Sequence, residues 1–451
     1  MNISIVSSKK EPIILFVGDI LSFVLALCLT LVVRYGGEWL PEFNNHIVPF
    51  SILFVIWIIV FFISGLYNKH TTVFQSRLLS MILNVQVVNS IIAVIFFYFG
   101  TYFGISPKTN LFIYLALSFV LVFIWRMEMF SRFAAKVKEK ALLIGSGEEM
   151  RELKEEVNGN PRYGIYFVSM IDLDVNEGGN LKEKILEKIN SENISVVAID
   201  LEHEKVEPLL PELYRLVLSG VKFIDMHKVY EDIFDRVPLS LLKYSWFLEN
   251  VSIAPKVAYD FLKRFTDVLI SLILGVISLI FYPFVYIAIK INDGGPIFLF
   301  QKRIGKNDKE ITIVKFRTRK GEDNGEWGSK NTNELTFVGK FLKATRIDEL
   351  PQLWNVLKGD ISLIGPRPEL PLPVKQYEKQ VPYYNVRHLI KPGLSGWAQI
   401  HHEQAPHHSL DVGETKVKLS YDLYYIKNRS FILDLKIALQ TIKTVITRMG
   451  A

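Results

Sequence analysis

Asp348 and Glu349 stand side by side in Thr345-Arg-Ile-Asp-Glu-Leu-Pro-Gln-Leu-Trp-Asn, and Gly365-Pro-Arg-Pro-Glu follows closely. Two adjacent carboxylates beside arginines, downstream of an apolar segment, point to chemistry on an anionic substrate at a membrane surface. Taken alone, the pair has a plain structural explanation, because acidic residues favour a helix N-terminus and Pro351 is tolerated at the first helical position. What argues for chemistry is the company the pair keeps, and the elements that must hold it in place.

A chain of 451 residues has room for about three domains, and 50% hydrophobic with 13% aromatic content is high for a soluble enzyme. The apolar excess is concentrated. Runs at 13–33, 47–66, 78–99 and 111–125 approach or reach the ~20 residues that cross a bilayer as a helix. So many apolar runs in so short a stretch leave little polar surface to cover them, which predicts a four-helix transmembrane domain over residues 1–133. Lys9, Lys10, Lys69, Arg77, Arg126, Arg132, Lys136, Lys138 and Lys140 fall on one side of these helices, against Arg34 and Lys108 on the other. By the positive-inside rule, the N-terminus and everything from residue 126 begin in the cytoplasm, and the first run is a retained helix rather than a cleaved signal. Asn84, Gln86 and Asn89 are expected to hydrogen-bond between helices. Cys28, the lone cysteine, can form no intrachain disulfide. A net charge of +6 fits an anionic leaflet better than a nucleic acid.

Residues 134–250 alternate strand-like and helix-like stretches, with strands expected near 141–145, 167–171, 194–201 and 221–224, so a small parallel Rossmann-like sheet follows. Gly145-Ser-Gly147 lies where a phosphate cradle belongs, but Met150 occupies the third glycine position. A structural or regulatory role is favoured over a nucleotide site. Asp172 and Asp200 are read as turn formers, not ribose ligands.

Residues 265–289 form a further apolar run. A straight crossing would carry everything after it out of the cell. Pro283 removes a backbone hydrogen bond and clashes with the preceding turn, so a re-entrant helix over 264–290, entering and leaving on one face, is expected. Broken backbone at membrane depth needs protein cover, which residues 251–451 would supply as a mixed α/β monotopic domain. The Tyr-x-x-x-Lys pattern at Tyr259 and Lys263 is a chance match, because no glycine-rich strand-turn-helix precedes it in that domain.

Asp293-Gly-Gly-Pro, Gln301-Lys-Arg-Ile-Gly305, Ile311-Thr-Ile-Val-Lys-Phe-Arg317, Arg346-Ile-Asp-Glu-Leu-Pro-Gln352, Gly365-Pro-Arg-Pro368, Lys391-Pro-Gly-Leu-Ser-Gly-Trp-Ala-Gln399 and Lys418-Leu-Ser-Tyr-Asp-Leu-Tyr-Tyr follow one another in order. Together they resemble the bacterial sugar transferase family, the polyprenyl-phosphate glycosyl-1-phosphate transferases. The helical start and the Rossmann-like middle resemble that family's large members. The resemblance implies a bacterial inner-membrane enzyme whose catalytic domain faces the cytoplasm and begins surface or exopolysaccharide synthesis. Asp348 would attack the β-phosphorus of a UDP-sugar, expel UMP and carry the sugar phosphate covalently until a polyprenyl phosphate takes it. Glu349 would hold Mg2+ with Asp348, and the resemblance to the large members implies a homodimer.

Such chemistry suits these residue types. A carboxylate attacking a diphosphate needs a metal and cations to offset repulsion, and Lys315, Arg317, Arg346 and Arg367 are available. Mg2+ takes only one or two carboxylates, and neighbours on a helix point apart, so one acid can face phosphorus and the other metal. Arg303 and Arg387 match family arginines and join the expected phosphate-binding set, while Gln399 is assigned to the nucleotide-sugar region by its motif alone. Lys343, in Lys343-Ala-Thr345, joins the same phosphate-binding set but departs from the family's Arg-x-Thr, keeping charge and losing a bidentate fork. His401-His-Glu-Gln-Ala-Pro-His-His408 is read as a solvated loop, since Pro406 breaks the helix a zinc site there would need. Residues 431–449 are amphipathic and either lie on the membrane or pack on the re-entrant helix. Two other readings stay open: a membrane-anchored UDP-sugar dehydratase or epimerase, and a non-enzymatic polysaccharide assembly or transport protein.

Overall fold

The computed structural model describes residues 11–67, 75–99, 108–134, 138–160, 163–175, 181–251, 256–320, 335–401 and 411–449. The chain divides into two compact units, Met1–Ile233 and Phe234–Ala451.

Apolar helices α1 (Glu11–Tyr35), α2 (Trp39–Ile63), α3 (Gln75–Phe99) and α4 (Lys108–Ala134) open the first unit. A short 3-10 turn joins α1 to α2, and three helical stretches, Pro12–Ile63, Ser80–Tyr98 and Asn110–Met129, are long and apolar enough to cross a membrane. In α2 the buried Phe50, Leu53, Phe54, Trp57 and Phe61 recur every three or four positions and face Phe23 and Leu27 of α1 and Tyr114 of α4. The outward residues are apolar too, among them Ile13, Leu21, Val48 and Val55, which suits hydrocarbon surroundings. α1 and α4 approach so closely that a Cβ on Gly18 would lie 1.9 Å from the Trp125 ring.

Two expectations for these helices change. Arg126 is buried within α4 and is not a loop charge. Its Nε donates to Asp19 of α1 at 3.0 Å, Nη2 closes on the same carboxylate, Nη1 donates to the Leu66 carbonyl at 2.8 Å, and the Tyr67 hydroxyl donates to Asp19 at 2.6 Å. Opposite charges survive in an apolar bundle when paired as fully as this. Asn84 faces outward, and the Asn89 side chain and Gln86 Nε2 are buried without a hydrogen-bond partner among the described residues. Lys9, Lys10, Lys69 and Lys136 lie outside the described residues.

The same unit continues with a four-stranded sheet: β1 (Glu139–Gly145), β2 (Ile165–Asp172), β3 (Val196–Ile199) and β4 (Lys222–Asp225), in order β2-β1-β3-β4 and parallel throughout. Helices α5 (Gly147–Gly159), α6 (Leu181–Ser191) and α7 (Leu210–Leu218) make the crossovers, as parallel pairing requires, and α8 (Met226–Phe234) follows β4. Met150 is fully buried in α5. Asp172 and Asp200 each accept the backbone N–H two residues on, at 3.0 Å, and Asp200 also meets His227 at 3.3 Å.

The second unit begins at Phe234, earlier than the boundary expected at 250. Val237, Leu242 and Trp246, the last on α9 (Tyr244–Asn250), share a core with Trp397, Leu423 and Ile437, and this draws the segment into the C-terminal unit. α10 (Val257–Ser278) and α11 (Phe281–Asn292) bend by 54° at Leu279-Ile280. The break precedes Pro283, which sits in the first turn of α11. Proline has no N–H to offer the Leu279 carbonyl, and Tyr282 N takes that carbonyl at 3.3 Å, so the disruption falls in the preceding turn. After α11 come the antiparallel pair β5 (Phe298–Ile304) and β6 (Glu310–Phe316), then α12 (Phe337–Ala344), α13 (Gln352–Lys358), β7 (Ser362–Ile364), α14 (Pro371–Gln380), β8 (Gly393–Ser395) parallel to β7, α15 (Trp397–His401), α16 (Val412–Asn428) and α17 (Phe431–Met449). Arg264 of α10 donates to the carbonyls of Val356 and Leu357 at 2.7 Å each, fixing the end of α13. Tyr259 and Lys263 both bond Asp434 at 2.9 Å, which docks α17 on α10 and gives that pair a structural role.

The Asp19–Arg126 pairing makes a direct prediction. Asp19→Asn leaves a buried guanidinium without a counter-charge and should cost about 3–5 kcal/mol, seen as a lower thermal midpoint in detergent. Asp19→Leu combined with Arg126→Met should recover most of that loss. A single variant as stable as wild type would contradict the pairing.

Candidate active site

Asp348 and Glu349 occupy a 3-10 turn, Ile347–Glu349, between α12 and α13. The turn is set from both sides. Thr336 caps α12 by accepting from Gly339 N at 2.8 Å, and a Cβ on Gly339 would lie 1.8 Å from the Thr318 carbonyl, so α12 is pressed against the end of β6. Arg346 then adopts a left-handed conformation (φ 60°), unfavourable for a residue that carries a Cβ, and reverses the chain into the dyad. Pro351 precedes α13 and fixes its entry.

Glu349 gathers the cations. Its Oε1 lies 3.1 Å from Arg367 Nη2, 3.3 Å from Arg346 Nη1 and 3.8 Å from Lys315 Nζ. Burial alone would raise this carboxyl, but Arg367, Lys315 and Arg346 overcome it and hold it down at about 2. Asp348 shows the reverse. Burial, reinforced by the Glu349 charge, pushes it up to about 6, and the same cations only partly compensate. Its Oδ1 is buried with no hydrogen-bond partner among the described residues. Burial brings Lys315 down to about 8 despite the pull of Glu349, and lowers Lys343, which also feels Arg319. The dyad thus pairs a firmly ionised acid with one poised near neutrality, a pattern common at reactive sites.

Arg303, Arg317 and Arg387 are held elsewhere. Arg303 donates to the Pro368 carbonyl at 3.3 Å and to Gln301 at 2.9 Å. Arg317 pairs with Asp293 at 3.2 Å and donates to the Arg319 carbonyl at 2.9 Å; a Cβ on Gly295 would meet its guanidinium at 2.1 Å. Arg387, only 3% exposed, pairs with Asp422 at 2.8 Å and donates to the Tyr384 hydroxyl at 2.7 Å and to the Arg367 carbonyl at 3.0 Å. It is therefore corrected from a phosphate ligand to a support of the Gly365-Pro-Arg-Pro loop. Glu369 and Lys418 pair beside it. The sequence assigned Glu369, Lys418, Asp422 and Asp293 no role; the last three sit in the ordered blocks and Glu369 directly follows one, which was the available signal. Gln399 Oε1 is buried without a partner among the described residues, close to Gly396.

For a divalent ion, the fitting donors are Asp348, whose Oδ1 is buried and unsatisfied, and the ionised Glu349. A second group, Asp308, Glu378 and His388, brings possible ligand atoms within 4.8 Å of one another. There His388 Nδ1 lies 2.5 Å from Asp308 Oδ1, a hydrogen-bond separation too short for two ligands of one ion. His402, Glu403, His407 and His408 lie outside the described residues.

Residues 258–448 match the family model described as bacterial sugar transferase. The chain is 38% identical to the UDP-N-acetylgalactosamine-undecaprenyl-phosphate N-acetylgalactosaminephosphotransferase of Aeromonas hydrophila, over 53% of this chain and 56% of that protein. It is 28% identical to the UDP-glucose:undecaprenyl-phosphate glucose-1-phosphate transferase of Xanthomonas campestris pv. campestris, over 69% and 68%. It is 35% identical to the exopolysaccharide production protein PSS of Rhizobium leguminosarum bv. phaseoli, over 42% of this chain and 96% of that one. The match thus spans little more than half the length of the Aeromonas protein.

The raised pKa of Asp348 has a stability consequence with a definite sign. Ionising it costs the folded site more than the unfolded chain, so stability is lost as pH rises from 3.8 through about 6. Asp348→Asn removes that loss. The variant should be more stable than wild type by about 1–2 kcal/mol above pH 7 and equal to it below pH 4. Equal unfolding midpoints at both pH values would show that the carboxyl is not perturbed.

Proposed function

Because the chain belongs to the bacterial sugar transferase family, we propose that it moves a sugar 1-phosphate from a UDP-sugar to a polyprenyl phosphate such as undecaprenyl phosphate, on the cytoplasmic face of a bacterial membrane. The observation that carries this reading is the asymmetry of the dyad: Glu349 is saturated with cations, while Asp348 Oδ1 is buried, unsatisfied and ionisable near neutral pH.

In the first displacement, Asp348 Oδ1 forms a bond to the β-phosphorus. The bond from that phosphorus to the bridging oxygen breaks, and its electron pair leaves with UMP. Arg367, Arg346 and Lys315 surround the position where the diphosphate charge must sit, and Gly365-Pro-Arg-Pro, tied down by Arg387 and Arg303, holds the Arg367 fork ready. In the second displacement a polyprenyl phosphate oxygen attacks the same phosphorus, and the acyl-phosphate bond breaks to return the Asp348 carboxylate. No net proton moves in either step. Mg2+, held by Asp348 and Glu349, would supply further neutralisation of the diphosphate.

The membrane arrangement belongs to the same proposal. α1 to α4 would span the bilayer, and the α10–α11 pair would enter and leave by one face and keep both flanking segments in the cytoplasm; the 54° bend between the two helices supports that reading. Removing Arg126 from the loop count leaves the basic bias on the side of Arg132, Lys138 and Lys140.

UMP release, assayed with a panel of UDP-sugars and undecaprenyl phosphate, tests the reaction. Asp348→Asn should abolish it, and Glu349→Gln should lower it by about 10²–10³-fold. Wild-type turnover in Asp348→Asn would remove the nucleophile. For topology, cysteine labels at Lys256 and Lys306 should both report the cytoplasm; opposite sides would make the bent pair a true span.

A further inference from the structure

Beside the dyad, two buried polar atoms lack partners among the described residues, and they are complementary: Asp348 Oδ1 accepts and Gln352 Nε2 donates. The residues are 8% and 5% exposed. Native interiors rarely leave a buried amide donor unpaired, so the atom calls for an explanation. Had the two groups met, each would have satisfied the other. No hydrogen bond joins them, and a third group that bonds to both would satisfy each.

Helix geometry places Gln352. Asn355 donates Nδ2 to the Thr312 carbonyl at 2.7 Å and accepts from Val314 N at 3.1 Å, so its face of α13 is turned to β6. Gln352, three residues earlier, shares that face one turn nearer the dyad, alongside the strand that carries Lys315. It follows Asp348 by four residues, the 3-10 turn of the dyad leading through Leu350 and Pro351 into α13.

The geometry points to Gln352 as a further catalytic residue: its side-chain amide donates to a non-bridging oxygen of the phosphoryl group that Asp348 attacks. This rests on the proposed transfer reaction. Lys315, Arg346 and Arg367 all converge on Glu349 Oε1 and bring positive charge to the diphosphate, and a neutral donor at the attacked phosphoryl group adds a directed hydrogen bond to that charge. The amide keeps its proton throughout; the bond made is Asp348 Oδ1 to phosphorus and the bond broken is phosphorus to the bridging oxygen. A donor fixed at the start of a helix needs no reorganisation as charge develops on those oxygens, and that is where such groups act most strongly.

The test compares full-length wild type, Gln352→Met and Gln352→Glu, each in detergent, with the UDP-sugar that wild type turns over and undecaprenyl phosphate. Gln352→Met keeps the length and loses the donor. Its kcat should fall about 10²–10³-fold with KM within about threefold and an unchanged thermal midpoint. Gln352→Glu, nearly isosteric but anionic, should fall at least as far. A Met variant with kcat within threefold of wild type, or a rise in KM alone, would overturn the role. If the Met variant does not fold, the Glu variant decides: wild-type turnover there, or failure of both to fold, reduces Gln352 to packing. A wild-type protein that releases no UMP from any UDP-sugar defeats the transfer reading itself, and the inference falls with it.

Discussion

Three cations converge on one oxygen of a buried carboxylate, and the C-terminal unit is arranged around that requirement. Glu349 Oε1 draws Arg346 from its own turn, Lys315 from β6 and Arg367 from the loop after β7. These residues are distant in sequence, so each needs its own mechanical support. Lys315 is placed by the β5–β6 pairing, Arg346 by a left-handed backbone that α12 and Gly339 enforce, and Arg367 by a loop whose carbonyls bond Arg387 and Arg303. Removing the Glu349 charge would leave like charges facing one another in a poorly solvated site.

Chemistry follows from the uneven sharing of that charge. The cations lower Glu349 more than Asp348, and the ionised Glu349 itself raises its neighbour. One acid becomes a fixed anion and the other a base of intermediate strength, as the proposed transfer through an aspartyl phosphate would require. A second buried cluster, Glu369, Lys418, Arg387 and Asp422, adjoins the first, and Arg387 links the two by donating to the Arg367 carbonyl. Its opposite charges satisfy one another. That makes it a support for the site.

Much of this was legible in the sequence because apolar runs, alternating strand and helix, and the ordered blocks around Asp348 each follow a local rule. The helices α1 to α4, the parallel sheet and α17 fall close to where periodicity puts them. What was not legible depended on partners far away in the chain. Arg126 counts as a loop charge until Asp19 is seen opposite it, and Arg387 counts as a phosphate ligand until Asp422 and Tyr384 are seen to enclose it. The bend before Pro283 shows the same limit at short range: proline marks the disruption, but the lost hydrogen bond lies a turn upstream. The boundary at Phe234 was set by Trp246 packing near Trp397, a long-range contact that no composition change announces.

The central claim is that Asp348 carries the sugar phosphate covalently, and trapping that species tests it most directly. Wild-type protein incubated with a UDP-sugar radiolabelled in the β-phosphate, without lipid acceptor, should retain label at Asp348 as an acyl phosphate while releasing UMP. Hydroxylamine should strip the label, and added polyprenyl phosphate should carry it into lipid. Release of UMP only when lipid is present, with no label ever found on the protein, would contradict the account and make a single in-line transfer the better description.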